Sequence, residues 1–161
     1  MDQKIALSVV VITKNEASRI SDCLKSVDWA DEVIVLDDES TDNTVALARS
    51  LGASVHVRKM DVEGKHRNVA YQMAKNSWIL SLDADERVTP ELKQEIIETL
   101  KNNPSCNGYA IPRRNFMGRV WVRYGGMYPS AQLRLFRKDA FRYDELAEVH
   151  PQAYMQDPRG M

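Results

Sequence analysis

The sequence predicts an α/β fold: a doubly wound, mostly parallel sheet flanked by helices, passing into a β-rich C-terminal portion. Two observations carry that reading. Short, almost wholly apolar runs alternate with helical patterns up to about residue 100, and continuous rather than alternating hydrophobicity marks strands covered on both faces. After Asn107 the alternation stops, and strand-like runs are joined by Gly- and Pro-bearing turns with no convincing helix between them. A length of 161 residues is ordinary for one domain. No linker composition, repeat or low-complexity segment divides it. The chain therefore reads as a single domain, 1–161, with an α/β half over 1–106 and a β-rich half over 107–161.

Taken in order, Leu7–Ile12 is the first strand. Its parent run, Ile5 to Ile12, contains Ser8 and falls far short of the ~20 residues that span a bilayer. Asp2 before it and Thr13-Lys14-Asn15-Glu16 after it are not signal-peptide flanks. Ala17, Ile20, Leu24 and Val27 share one helical face. Glu32–Leu36 is the second strand, and Ser40-Thr41-Asp42 supplies an N-cap for the helix after it. Gly52 follows Leu51 as a C′ glycine, leading into the third strand, Ser54–Val57. Gly64-Lys65-His66-Arg67-Asn68 begins the third helix, and Trp78–Leu82 is the fourth strand. Thr89-Pro90-Glu91 reads as N-cap, N1 and first-turn acid of a helix with Leu92, Ile96, Ile97 and Leu100 on its apolar face. Strand–helix repetition of this kind implies an open, doubly wound sheet. Gly108–Pro112, Val120–Arg123 and Gln132–Phe136 are the expected strands of the second half.

Composition excludes intrinsic disorder: 43% of residues are hydrophobic and 28% charged. The net charge of −1 gives no reason to expect nucleic acid as a partner. It conceals a split, because residues 113–142 hold seven Arg and one Lys against Asp139 alone. Such a segment points to phosphates or an acidic surface, or else to a solvated basic face. Cys23 and Cys106 have neither disulfide-framework nor metal spacing, and read as reduced thiols of a cytoplasmic protein.

Ligands of doubly wound sheets bind beyond the carboxyl ends of the strands. Three of the four strands end there in polar runs, 13–16, 37–42 and 83–86, which together carry eight carboxylates. Such a concentration needs cations or hydrogen-bond donors to meet it. Asp83 and Asp85, at period two, would leave the same face of an extended segment and approach one hard divalent ion. A solvated turn is the structural alternative. Asp37 and Asp38 end an equally apolar strand, where a carboxylate can accept from a base N–H or a ribose hydroxyl. Lys65 and Arg67 at a helix start oppose the macrodipole, which a phosphate sharing the site would offset; an exposed basic turn is the structural alternative. His150 alone reads as a packed or exposed histidine. Trp121, Tyr124 and Tyr128 around Gly125-Gly126 are core packing by default, or a stacking wall for a sugar.

Read together, these residues resemble family 2 glycosyltransferases of the GT-A, Rossmann-like fold. The resemblance runs through Leu-Ser-Val-Val-Val-Ile-Thr-Lys-Asn-Glu (7–16), Trp-Ala-Asp-Glu-Val-Ile-Val-Leu-Asp (29–37), Ser-Thr-Asp-Asn-Thr (40–44) and Lys-His-Arg-Asn (65–68). Trp78 to Val88, Gln-Leu-Arg-Leu-Phe-Arg (132–137) and Val149-His150 extend it over nearly the whole chain. Within the family it is most similar to the lipopolysaccharide-core β-glucosyltransferase branch. The resemblance implies a nucleotide-diphosphate sugar donor, a UDP-hexose such as UDP-glucose, and inversion at the anomeric carbon. Asp37 and Asp38 would take the uracil or ribose, and Lys65 and Arg67 would lie near the base or diphosphate. Asp83 would contact ribose and metal, while Asp85, with His150, would hold Mg²⁺ or Mn²⁺. The metal would stabilise charge on the departing UDP. A carboxylate would take the acceptor proton. Relatives commonly have His-Glu where this chain has His150-Pro151, so the expected base moves to Glu148, with Asp144 the other candidate. Expected partners are the donor, a glycan or lipid-linked acceptor, and an anionic membrane surface on the cytoplasmic side. A donor-binding module without turnover shares every donor-side motif. A sugar-phosphate nucleotidyltransferase would need a Gly-rich loop after strand one, and Thr13-Lys14-Asn15-Glu16 has no glycine. A haloacid-type phosphatase would need Asp-x-Asp-x-Thr after the first strand; here Arg87 holds the Thr position and the strand is the fourth.

Overall fold

A computed structural model describes residues 5–147 and 153–155. The first part of the chain alternates β1 (Ile5–Thr13), α1 (Ile20–Lys25), β2 (Ala30–Asp37), α2 (Thr44–Ser50), β3 (Ser54–Val57), α3 (Glu63–Met73), β4 (Trp78–Asp83) and α4 (Pro90–Lys101). Then follow β5 (Gly108–Arg113), β6 (Phe116–Met117), β7 (Val120–Trp121), β8 (Ser130–Arg137), β9 (Phe141–Tyr143) and β10 (Ala153–Met155).

Six strands form one sheet in the order β3-β2-β1-β4-β8-β5. The four strands of the α/β half run parallel, while β8 is antiparallel to both β4 and β5. This is the mostly parallel, doubly wound sheet that the sequence predicts. The β-rich half adds two of its strands to that same sheet. Its remaining pairs, β6–β7 and β9–β10, are short separate hairpins.

Side chains alternate across β1, and the two faces of the sheet bury different partners. Leu7, Val9 and Val11 pack with Leu24 of α1, Val27 just after it, Ala48 of α2 and Ile96 of α4. Val10, Ile34, Leu36, Ile79 and Phe136 face the other way, against Ala70 and Tyr71 of α3 and Phe141 of β9. Ser8 interrupts the apolar run because it is a connector: its hydroxyl donates to Glu32 and accepts from the backbone N and Nδ2 of Asn76 at 3.2 and 3.1 Å. The Thr89 side chain accepts from Leu92 N at 3.2 Å, and Pro90 starts α4, as its spacing predicts.

Two expectations need correction. Ser54–Val57 is no doubly covered strand, since it forms the sheet edge and Val57 is 52% exposed. An edge strand has a neighbour on one side alone, so its apolar residues are only partly covered. The run Val120–Arg123 contributes only the two residues of β7, whose partner β6 is equally short and is closed by Val122 N donating to Asn115 O at 2.9 Å.

Candidate active site

The parallel register sets the ends of β1, β2 and β4 level, with Thr13 opposite Asp37 and Ile12 opposite Asp83. The loops leaving β1 and β2 are clipped together above that edge. Asn15, at φ 53°, donates its N–H to Ser40 Oγ at 2.7 Å and receives Thr41 N on Oδ1 at 2.8 Å. Glu16 N donates to Thr44 Oγ1 at 2.8 Å, and Asp42 accepts from Ala17 N at 3.1 Å and Thr44 N at 3.0 Å. The Ser40–Thr44 segment is thus scaffold, holding two loops at a fixed separation.

Asp37 is fully buried, and its carboxylate accepts from Ser40 N and Oγ. Asp38 accepts from Lys14 Nζ and Met60 N, each at 2.8 Å. The Lys14 hydrogen bond, assisted by that of Met60, holds the Asp38 carboxyl below the usual carboxylate range. Both residues brace the loops, while the second lone pairs of their oxygens remain as acceptors.

Asp83, at the end of β4, is the centre of a charged cluster. Its Oδ1 accepts from Arg67 Nη2 of α3 and its Oδ2 from Arg134 Nη2 of β8, both at 2.8 Å. Arg134 Nη2 also reaches Glu86 Oε1 at 2.7 Å, and Glu86 Oε2 accepts from Asp83 N at 2.9 Å. Burial alone would raise the Asp83 pKa, but the two guanidiniums outweigh it and hold the group ionised, below its ordinary value. Arg67 is buried too, and Asp83 more than offsets the cost of that burial for its charge.

β4 stops at Asp83, where Glu86 N turns back onto Asp83 O at 2.9 Å. Asp83-Ala84-Asp85 is therefore not the extended segment its spacing suggests. Asp85 stands on the turn, half-exposed, with Arg19 Nη1 3.7 Å from its carboxylate. No group of three His, Cys, Asp or Glu able to hold a metal occurs among the described residues. Asp83 and Asp85 remain two hard oxygen donors at the mouth of the edge. That set fits Mg²⁺ or Mn²⁺ only as a partial one, completed by water and phosphate oxygens.

The edge also carries donors with nothing to meet them. Thr13 Oγ1, His66 Nε2, Arg67 Nη1 and Arg134 Nε are buried without a hydrogen-bond partner among the described residues. His66 is fully buried, with Arg58 Nη1 3.0 Å from its Nδ1. A guanidinium can only donate, so Nδ1 accepts and the proton sits on Nε2. Burial, with Arg58 adding to it, pushes the His66 pKa down and keeps the ring neutral. Each of these groups is a buried donor whose hydrogen bond is not supplied by the described residues, and all four lie beside the acidic edge.

The other expected residues are placed differently. Lys65 pairs with Asp61 at 2.8 Å on the surface; two residues from Arg67 on one helix, it faces elsewhere. Asp144 follows β9 at the start of α3, where an added Cβ on Gly64 would lie 2.5 Å from Asp144 O. Its carboxylate accepts from Leu146 N at 2.8 Å. Glu148 and His150 lie outside the described residues. Trp121 packs edge-on to Tyr128 at 5.3 Å, but Tyr124 is 86% exposed, so this group is not core. Arg134 and His66 were not among the residues expected at the site. An arginine inside the otherwise apolar run Leu133–Phe136 is the signal for the first, since a charge buried in a strand needs a partner.

Residues 8–156 match the family described as Glycosyl transferase family 2. An uncharacterized glycosyltransferase of Rickettsia bellii is 50% identical over 91 residues, 56% of this chain and 31% of that protein. The lipopolysaccharide core biosynthesis glycosyltransferase LpsC of Rhizobium meliloti is 28% identical over 155 residues, 93% of this chain and 57% of that one. Among solved structures, Staphylococcus aureus TarS 1-349 superposes with a TM-score of 0.60 at 22% identity, over 90% of this chain and 52% of TarS. The complex of the same TarS region with UDP-GlcNAc matches at 0.50 and 28% identity, over 61% of this chain and 32% of that one. The fold is thus that of the GT-A glycosyltransferases. The chain spans between 31% and 57% of the length of these two curated relatives.

Proposed function

The chain belongs to glycosyl transferase family 2, and from that membership we propose that it binds a nucleoside-diphosphate sugar at the carboxyl edge of its sheet. The proposed reaction is inverting transfer of a hexose, from UDP-glucose or a similar donor, to a hydroxyl of a glycan or lipopolysaccharide-type acceptor. The observation that carries the reading is the set of buried donors on Thr13, His66, Arg67 and Arg134 that have no partner among the described residues around the acidic edge. A diphosphate with a nucleobase offers the acceptors that set lacks. The TarS complex with UDP-GlcNAc supports the donor class.

In this reading Thr13, Asp37 and Asp38 line the base and ribose end, and the free N–H groups of Arg67 and Arg134 face the diphosphate. Asp83 and Asp85 would hold Mg²⁺ or Mn²⁺, whose chemistry when bound is to neutralise charge on the departing nucleotide. A carboxylate of the segment after β9, Glu148 or else Asp144, takes the proton of the attacking hydroxyl in a single in-line displacement. The leaving bond is that between the anomeric carbon and the diphosphate oxygen, so the diphosphate departs with the electron pair.

Calorimetric titration of UDP and of UDP-glucose, with and without Mn²⁺, tests the donor site. Binding that needs Mn²⁺ and is lost in Asp85→Ala is the expected result. No binding of either nucleotide by the folded wild type would overturn the reading. Binding with no transfer to any acceptor would leave a donor-binding module in its place.

A further inference from the structure

The segment between β5 and β8 holds a run of large apolar side chains open to solvent. Phe116 is 61% exposed, Met117 76%, Val120 67% and Tyr124 86%. On the β6–β7 hairpin Phe116 lies opposite Trp121, and Met117 opposite Val120. Successive residues of a strand point to opposite sides, so these two pairs occupy opposite faces of a two-stranded ribbon. The Met117–Val120 face is open, and on the other Phe116 stands exposed beside a Trp121 that Arg123 and Tyr128 partly cover, an apolar tip beyond the scattered exposure ordinary for a soluble surface. A ribbon this short has no core of its own.

The same segment is strongly cationic. Residues 113–138 hold six Arg and one Lys with no acidic residue among them. Arg123 lies over the Trp121 ring at 4.0 Å and Arg114 at 5.1 Å. Neither of them, nor Arg119 at the hairpin turn, has a carboxylate within ion-pair distance among the described residues, whereas Arg113 and Arg134 both reach Glu86.

We propose that the β6–β7 hairpin is a membrane-docking wedge that inserts Phe116, Met117 and Val120 into the interfacial layer of an anionic bilayer, with Arg114, Arg119 and Arg123 on the lipid phosphates. Charge complementarity selects an anionic partner. The apolar tip selects lipid, because Phe116, Met117 and Val120 stand exposed among the arginines, and an interfacial layer offers anionic phosphates with an apolar region directly beneath them. Aromatic rings and arginines at one level suit the headgroup boundary, where an apolar body and a polar tip are both satisfied. The proposal does not depend on the donor reading, and neither its success nor its failure bears on nucleotide binding.

Co-sedimentation of the full chain with vesicles tests it, using phosphatidylcholine alone and phosphatidylcholine with one third phosphatidylglycerol. Binding to the anionic vesicles, weakened by salt, and a blue shift of tryptophan emission that Trp121→Phe removes are expected. Replacing Arg114, Arg119 and Arg123 by Gln should weaken binding by about 100-fold, at roughly fivefold for each arginine near the surface. Met117→Ser with Val120→Ser should weaken it by roughly 10-fold or more with the charges intact. Both variants change exposed residues, and unaltered thermal unfolding will certify their fold. Failure of the folded wild type to bind anionic vesicles at low salt overturns the proposal. So does binding that the serine variant retains in full, or that soluble polyglutamate competes away, since either would mean an acidic partner met by charge alone.

Discussion

Replacing Arg134 by Met removes the one cation among the described residues that touches both Asp83 and Glu86. Arg134 Nη2 lies 2.8 Å from Asp83 and 2.7 Å from Glu86, and the exposures of the three side chains are 8%, 34% and 19%. Breaking a buried pair by deleting one partner costs about 3–5 kcal/mol. Asp83 is one third open to water and keeps Arg67, so screening reduces the expected cost to about 2–3 kcal/mol. For a chain of this size that is a fall in melting temperature of roughly 4–12 °C. The assay is urea unfolding of wild type, Arg134→Met, Asp83→Asn and the double variant. Asp83→Asn should restore part of the loss, because the double variant no longer buries a carboxylate that has lost one of its two guanidiniums. The pH dependence has a definite sign. The folded Asp83 pKa lies below the unfolded 3.8, so its contribution is present above that pH and is lost as pH falls through the folded value. The gap between wild type and Arg134→Met should therefore narrow in acid. A cost under about 0.5 kcal/mol, typical of a surface substitution, or a gap indifferent to pH, would refute the reasoning.

Three further outcomes follow from single contacts. Gly64→Ala should destabilise by about 1–3 kcal/mol in urea, despite alanine being the better helix former, because the new methyl would meet Asp144 O at 2.5 Å. His66 has a pKa below 6.5, lowered first by burial and then by Arg58. The unfolded chain therefore takes up a proton that the folded chain resists, and stability should fall as pH drops below 6.5, a slope that His66→Gln removes. Cys23 is buried, and burial followed by the charges of Glu86, Asp85 and Asp83 pushes its thiol up to about 12, while Cys106 is exposed. A thiol-disulfide reagent should thus label Cys106 in the native protein and Cys23 only after unfolding.

The parallel strands were legible because continuous burial leaves continuous hydrophobicity, and the polar ends of β1, β2 and β4 marked the edge where the charged cluster gathers. β3 misled because an edge strand and a central one can share a short β-branched run. The donor cluster was legible only in part. Asp83 and Arg67 carry local signals, at a strand end and a helix start, but Arg134 lies 51 residues along the chain from Asp83. Only antiparallel pairing of β8 with β4 brings it back, and no local pattern encodes that pairing. Lys65 was grouped with Arg67 by proximity in sequence, where helical spacing argued against a shared face. The Asp83–Asp85 spacing assumed an extended chain, and the Glu86 N–H that folds the turn is not visible in a period-two pattern.

The insertion of β8 beside β4 also sets an order of events during synthesis. β4 emerges with one side paired to β1 and the other bare, and its partner is not made until Leu135 and Phe136 follow Leu80 and Ile79. Until then the nascent chain presents an apolar strand with unpaired N–H and C=O groups, which is a template for association between chains. Closing the interval costs little loop entropy, but it cannot begin before the sequence exists. The strand that supplies Arg134 to the acidic edge is therefore also the one that ends this exposed phase, so the second guanidinium on Asp83 and protection from aggregation arrive in the same step.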